Sequence, residues 1–128
     1  MTYRGVIIEE SLVDNKILKK VTILKTRKEK VTPKHQTPWL KQWTLYTIQI
    51  PEININIVAE EISMDISTKP KHAWYVDFKN DRFHFIIFPH KVFKVDLQNP
   101  VLYKIAKEYG ETLGIPSYQM QFERLKRS

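Results

Sequence analysis

The amino-acid sequence predicts an α+β fold, with an antiparallel-rich sheet of about six strands and two to three helices packed on it. Two observations lead to this prediction. Apolar residues alternate with polar ones along residues 43–50 and again between residues 72 and 97, which is typical of strands. Apolar residues also recur at helical spacing along residues 54–67 and 100–113.

The first segments of the chain are short. Residues 4–9 form an apolar run that predicts a strand. Residues 11–20 carry apolar residues near helical spacing, and Ser11 is placed to cap a short helix. A strand that begins near Ile17 is the alternative for this segment. Apolar residues and threonines alternate with charged residues along residues 21–31, which predicts a strand with one solvent-exposed face. We expect this strand at a sheet edge or in a protruding hairpin.

The clearest predicted loop covers residues 32–42, because Pro33 and Pro38 each remove a backbone donor. Residues 43–50 then predict a strand, since β-branched residues are frequent and apolar residues alternate. Pro51 ends that strand.

Apolar stripes predict two longer helices. The first covers residues 54–67, although alternation alone over residues 53–58 would predict a strand. The second begins near Asn99, which is placed to cap, and Pro100, and it ends at Gly114. The predicted buried stripes are Ile55, Val58, Ala59, Ile62 and Ile66 in the first helix and Leu102, Ile105, Ala106, Tyr109 and Leu113 in the second.

Between these helices, residues 72–97 predict a three-stranded antiparallel meander with turns at Asn80-Asp81 and at residues 88–91. A two-residue turn at Asn80-Asp81 sets the register of the first two strands. The resulting pairs are Phe78 with Phe83, Val76 with Phe85, Trp74 with Ile87, Lys79 with Arg82, Asp77 with His84 and Tyr75 with Ile86.

The predicted order is β-α-β-β-α-β-β-β-α. Its first six elements match the ferredoxin-like pattern (βαββαβ), with an added β-hairpin and a C-terminal helix. This architecture hosts many functions and implies none. We expect a single domain over residues 1–128, with a short closing strand near residues 118–122 and a flexible tail at 123–128.

Composition narrows the class of protein. The chain has no cysteine, so disulfides and thiolate chemistry are excluded. No apolar run reaches the roughly 20 residues that span a bilayer, and the first residues lack the pattern of a signal peptide. We therefore expect a cytoplasmic protein without a membrane span.

The net charge of +7 is uneven along the chain. Residues 1–43 hold ten Lys and Arg against four Asp and Glu, a balance of +6, whereas the remaining residues hold eleven against ten. The excess comes mostly from the stretch between Lys16 and Lys41, here called the basic segment. This asymmetry predicts an anionic partner, which could be nucleic acid, a membrane surface or a phosphorylated ligand, and a solubilising face is the simpler interpretation. The predicted binding residues are Lys25, Arg27, Lys28, Lys30, His35, Trp39 and Trp43, which combine positive charge with stacking surfaces.

One polar pair inside the meander is the candidate catalytic site. Asp77 opposite His84 would fix the imidazole tautomer and raise its basicity, and Tyr75 lies two residues along the same face. The simpler interpretation is a structural cross-strand pair. Histidine spacing predicts no metal site, and three glycines are too few for a phosphate-binding or dinucleotide motif, so no cofactor is expected.

The sequence therefore favours a non-enzymatic binding or regulatory module that meets an anionic partner through its basic segment. A small enzyme or small-molecule-binding protein with a pocket near Asp77 and His84 is the alternative. A third hypothesis is a structural or interaction protein that dimerises through a sheet edge, and a homo-oligomer is accordingly one of the expected alternatives.

Overall fold

A computed structural model describes residues 1–35, 37–68 and 74–122. Within these ranges the predicted α+β class is confirmed, with one antiparallel six-stranded sheet and two α-helices. The strands are β1 (Thr2–Ile8), β2 (Thr22–Lys30), β3 (Gln42–Pro51), β4 (Val76–Lys79), β5 (Phe83–Phe88) and β6 (Lys91–Asp96), and the helices are α1 (Ile55–Asp65) and α2 (Val101–Thr112).

The strands lie in the order β2-β3-β1-β4-β5-β6, and all neighbours are antiparallel. β3 and β4 flank β1, and α1 connects them. The connection from β1 to β2 contains two 3-10 turns, at Glu9–Ser11 and Lys16–Lys20, and no α-helix. The ferredoxin-like order with an added hairpin is therefore not confirmed.

The predicted helix over residues 11–20 is wrong, and so is its alternative of a strand near Ile17, because β2 begins at Thr22. The Ser11 hydroxyl donates to the carbonyl of Ile8 (2.6 Å) instead of capping a helix. The Asp65 backbone oxygen accepts the amide of Val13 (2.8 Å), so contacts with the end of α1 hold this backbone in an irregular path. Tertiary hydrogen bonds override the weak local preference here.

Each face of the sheet carries one helix, because side chains along a strand point alternately to opposite faces. Phe85 and Ile87 pack with α1, whereas Ile86 and Phe88 pack with α2. We call these the α1 face and the α2 face. The core of the α1 face includes Tyr3, Ile7, Ile48, Ile50, Ile55, Val58, Ile62, Val76 and Phe78, and that of the α2 face includes Phe93, Val95, Tyr103, Ala106, Ile115, Met120 and Phe122.

The meander is confirmed over residues 76–96, but its predicted first register is wrong by two residues. Phe78 pairs with Phe85, so Asp81 and Arg82 form the tip of the turn. The Asn80 side chain causes the shift: its Oδ1 accepts the amides of Arg82 and Phe83 (both 2.8 Å). A shift of two keeps every side chain on its predicted face.

The predicted C-terminal helix is present, but its buried stripe differs. Tyr103, Ala106 and Gly110 face the sheet, whereas Ile105 is 49% exposed and Leu113 is 37% exposed. The N-cap position falls on Pro100, so Asn99 does not cap the helix. The observed stripe places the Tyr103 hydroxyl within hydrogen-bond distance of a buried polar partner on β5.

The segment after α2 is not the predicted strand. Ser117–Gln119 form a 3-10 turn, and Met120 and Phe122 are buried against the α2 face. The beginning of the meander at residues 72–73 and the predicted flexible tail at 123–128 lie outside the described residues.

Candidate functional site

A buried chain of three polar side chains crosses from α2 to β4. Asp77 Oδ2 lies 2.6 Å from His84 Nε2, and His84 Nδ1 lies 2.7 Å from the Tyr103 hydroxyl. All three residues are at most 5% exposed, and His84 is fully buried. Because a carboxylate only accepts, Nε2 carries a proton toward Asp77, and in the neutral imidazole Nδ1 accepts the proton of Tyr103.

Asp77 and His84 meet diagonally and not directly across the strands. Asp77 pairs with Ile86 and His84 pairs with Lys79, so the predicted direct pairing is wrong although the predicted contact forms. Diagonal neighbours on one face remain within reach of longer side chains. Asp77 and His84 are thus hydrogen-bonded as diagonal neighbours and not as a directly opposed pair.

An open cavity of about 460 Å³ lies beside Asp77 on the α2 face, near the end of β1 and the beginnings of β3 and β4. The third predicted residue of this candidate site, Tyr75, also lines it, whereas the fully buried His84 lies behind Asp77. The other lining residues are Val6, Ile8, Glu29, Thr32, Lys34, His35, Trp43, Trp74 and Gln119. The lining therefore combines aromatic rings and aliphatic side chains with a few convergent polar groups, as in small-molecule sites.

A second carboxylate–imidazole pair lines the cavity. His35 Nε2 lies 2.6 Å from Glu29 Oε1, and its Nδ1 accepts the amide hydrogen of Thr32 (2.9 Å). An Nδ1 that accepts carries no proton, so Nε2 donates to Glu29 and the His35 ring is neutral. The other oxygen of Glu29 accepts from Arg27 (3.2 Å).

Trp43 lines the cavity between this pair and Trp74. Its ring meets His35 edge-on, with centroids 4.3 Å apart, and lies 5.3 Å from the ring of Trp74. Its indole N–H donates to the buried Thr37 (3.0 Å). The indole is thus fixed on two sides and presents a rigid aromatic wall.

The segment that follows α2 closes one side of the cavity. The backbone oxygen of Lys34 accepts from the Tyr118 hydroxyl (2.9 Å) and from the Gln119 amide (3.1 Å). The Tyr75 hydroxyl in turn donates to the backbone oxygen of Gln119. These bonds tie the loop after β2 to the C-terminal segment across 84 positions of sequence separation.

The predicted binding residues do not lie together on one surface of the protein. β2 is an edge strand, and its residues are exposed except for Glu29, which is partly buried. Because side chains alternate, Lys25 and Arg27 point to the α2 face with Glu29, whereas Lys28 and Lys30 point to the α1 face. The predicted aromatic residues also divide, since Trp43 and His35 line the cavity while Trp39 is 44% exposed and does not.

Several cavity residues escaped prediction. Glu29, Thr32 and Lys34 belong to the basic segment, where the surrounding cations dominate the pattern. Trp74 looks like a core residue by its alternation with Val76. Nothing in the sequence connects Gln119 with residues 29–35, because that contact depends on the path of the chain after α2.

Within the described ranges no three His, Asp or Glu side chains gather as a metal-binding group. No helix in the same part of the chain has the length and apolar character needed to cross a bilayer. Comparisons with protein-family models, with curated proteins and with solved structures find no match to this chain. The fold and geometry define an α+β protein with an open, aromatic-lined cavity that is lined by the Glu29–His35 pair and by Asp77, behind which His84 is buried.

Proposed function

We propose that this protein binds a small organic molecule in the cavity beside Asp77. The observation that carries the proposal is the lining itself: rigid aromatic walls at Trp43 and Trp74 stand beside two carboxylates, Asp77 and Glu29. The volume of about 460 Å³ lies in the range of small-molecule sites. Binding without chemical conversion is the simpler version of this proposal, because His84 is buried behind Asp77 and does not line the cavity.

The polar groups of the lining favour a ligand that donates hydrogen bonds. Carboxylates only accept, and an aromatic face attracts a cation. Lys34 also lines the cavity, but this residue is exposed, so salt screens its charge more strongly than that of a buried group. We therefore expect a flat apolar body that carries an amine, amidine or amide nitrogen.

Three probes that share one ring can test this expectation: benzylamine, benzamide and benzoate. Binding is measured by the shifts of backbone amide signals in NMR spectra. We expect affinity to fall from amine to amide to carboxylate, with ~2- to 30-fold between the first and last, because a cation over an aromatic ring is worth about 0.5–2 kcal/mol. Stronger binding of benzoate would contradict the proposed ligand class.

A pair of valine substitutions locates the site. Val6→Phe adds a ring to the cavity wall, whereas Val13→Phe adds the same ring at a position that is 72% exposed and outside the cavity. We expect Val6→Phe to abolish the signal shifts and Val13→Phe to preserve them. Equal binding by both variants would place the probes elsewhere and refute the proposal.

We also propose, as a second function, that the basic segment contacts an anionic partner. The exposure of β2 as an edge strand with four cations favours it. Affinity for a polyanion such as heparin should then fall steeply between low and moderate salt, because Lys and Arg side chains that bind the polyanion displace the counterions condensed on it. Salt-independent affinity would refute this second proposal and leave edge protection by lysines as the role of the charge.

A further inference from the structure

The free edge of β2 offers backbone groups as well as charge. β2 has nine residues, and among the described residues only β3 pairs with it. Alternate backbone N–H and C=O groups of an edge strand point away from the sheet. Such an edge can accept another extended chain as an added strand.

The charges of β2 are distributed as an added strand would need them. Lys25 and Arg27 lie on the α2 face, and Lys28 and Lys30 lie on the α1 face. A rigid polyanion that rests on one face reaches only half of these cations. An extended peptide beside β2 also sends its side chains alternately to both faces, so acidic residues at successive positions meet cations on each side.

The charge of β2 also determines which kind of polypeptide can pair with its free edge. β2 holds four Lys and Arg against one glutamate, so pairing with β2 of a second copy would bring like charges together. An acidic partner removes this repulsion. Arg27 pairs with Glu29 through an exposed bond of 3.2 Å, and such a pair is weak enough to be exchanged for a ligand carboxylate. Glu29 keeps its bond to His35 when Arg27 turns away.

We propose that β2 binds an acidic peptide segment by strand addition, with the peptide extended along the free edge from Thr22 to Lys30. This inference rests on the second proposed function, the contact with an anionic partner, and names the partner as an acidic polypeptide. It does not require a ligand in the cavity, which lies on the α2 face and shares Glu29 with β2.

Selective methylation of peptide amides tests strand addition directly. The probe is a fluorescent peptide of about eight residues with glutamates at both odd and even positions. Two versions carry N-methyl groups, one on alternate amides and the other on every amide. An extended peptide can turn either edge toward β2 but needs one unmethylated edge to pair, so we expect the fully methylated version to lose at least ~10-fold in affinity and the alternately methylated version to bind within about twofold of the parent. Equal affinity of the two versions would refute strand addition.

Substitutions on each face provide a second test. Lys25→Glu reverses a charge on the α2 face and Lys28→Glu reverses one on the α1 face, while Lys104→Glu makes the same change at an exposed position of α2 as the matched control. We expect both β2 variants to lose at least ~5-fold in peptide affinity and the control to bind like the wild type. Dependence on one face alone would refute the inference.

The two proposals fail in different ways. If neither heparin nor the peptide binds at low salt, the anionic-partner proposal itself falls. If heparin binds but both methylated peptides match the parent, only strand addition falls. Tighter binding of a single-stranded oligonucleotide than of a peptide of equal charge would overturn the peptide in favour of nucleic acid. Amide spectra of each variant verify that the fold is intact.

Discussion

Replacing Tyr103 by phenylalanine removes one oxygen from the contact between α2 and β5. In the native protein this hydroxyl lies 2.7 Å from His84 Nδ1, and both residues are buried. The variant keeps the aromatic ring but takes away this partner of a desolvated ring nitrogen. Leaving a buried polar group unsatisfied destabilises a protein by about 1–3 kcal/mol. We therefore expect Tyr103→Phe to lower the free energy of unfolding by this amount.

The expected loss is large enough to measure by thermal unfolding. With an unfolding entropy of about 2.1 cal/mol/K per residue, each kcal/mol shifts the Tm of a chain of this length by about 4 °C. Tyr103→Phe should thus lower the Tm by about 4–11 °C in scans followed by circular dichroism.

Tyr109→Phe is the matched control, because its ring lies on the same helix and packs against Phe88 and Phe93. No hydrogen bond of the Tyr109 hydroxyl to another described residue is found, so we expect a change below about 0.5 kcal/mol. Equal Tm values for the two variants would refute a stabilising role of the polar chain. A large loss in Tyr109→Phe alone would point to ring packing as the dominant contribution.

Three further substitutions test the packing and the electrostatics. A Cβ at Gly5 would overlap the carbonyl oxygen of Asp77, so Gly5→Ala should destabilise the fold by more than ~3 kcal/mol in urea unfolding, and a loss below ~1 kcal/mol would contradict this contact. At Gly110 the added Cβ would overlap the sulfur of Met120; Gly110→Ala should therefore destabilise by ~1 kcal/mol despite better helix propensity, and should become stabilising in a Met120→Ala background. Burial raises the pKa of the Asp65 carboxyl, so the folded state holds this proton more tightly than the unfolded chain, and stability falls as pH rises through the folded pKa. Asp65→Asn should accordingly be more stable than the wild type at pH 7, and the difference should vanish in unfolding scans below the ordinary pKa of 3.8.

The faces of the meander could be predicted from the sequence, but its register could not. Alternation assigns each residue to a face, and a shift by two leaves that assignment intact. The turn between β4 and β5 depends on whether Asn80 occupies the tip or caps it with its side chain. Both arrangements suit the same residue types, so only the packed structure decides between them.

The short connection between β1 and β2 was predicted wrongly for a related reason. Its apolar residues have roughly helical spacing, and Ile17 is buried as expected of such a stripe. The backbone instead follows hydrogen bonds to Asp65, which is about 50 positions away in the chain. Local periodicity identifies the buried side chains here, whereas distant contacts determine the conformation.

The cavity was even less accessible to prediction. The sequence indicated Asp77 and Tyr75 as a candidate site, and both line the cavity. The opposite side is built by His35 and its neighbours, which the sequence grouped with the basic segment. The sheet order brings β2 and β3 beside β1 and β4, and the chain after α2 contacts the backbone of Lys34 at the same place.

The position of α2 explains why a cavity forms where it does. α2 and the segment after it cover the α2 face over β5 and β6, and in the part of the chain that the structure describes the same face is less covered over β1, where Val6 and Ile8 are only half-buried. Asp77 lies on the strand between these two regions. The hydrogen bonds from Tyr103 through His84 to Asp77 therefore link the docked helix to the cavity wall. Because the same hydrogen bonds hold α2 on the sheet and hold Asp77 in the cavity wall, loss of the Tyr103 hydroxyl should weaken the docking of α2 and also loosen Asp77. A probe that contacts Asp77 should therefore bind more weakly to Tyr103→Phe than to Tyr109→Phe.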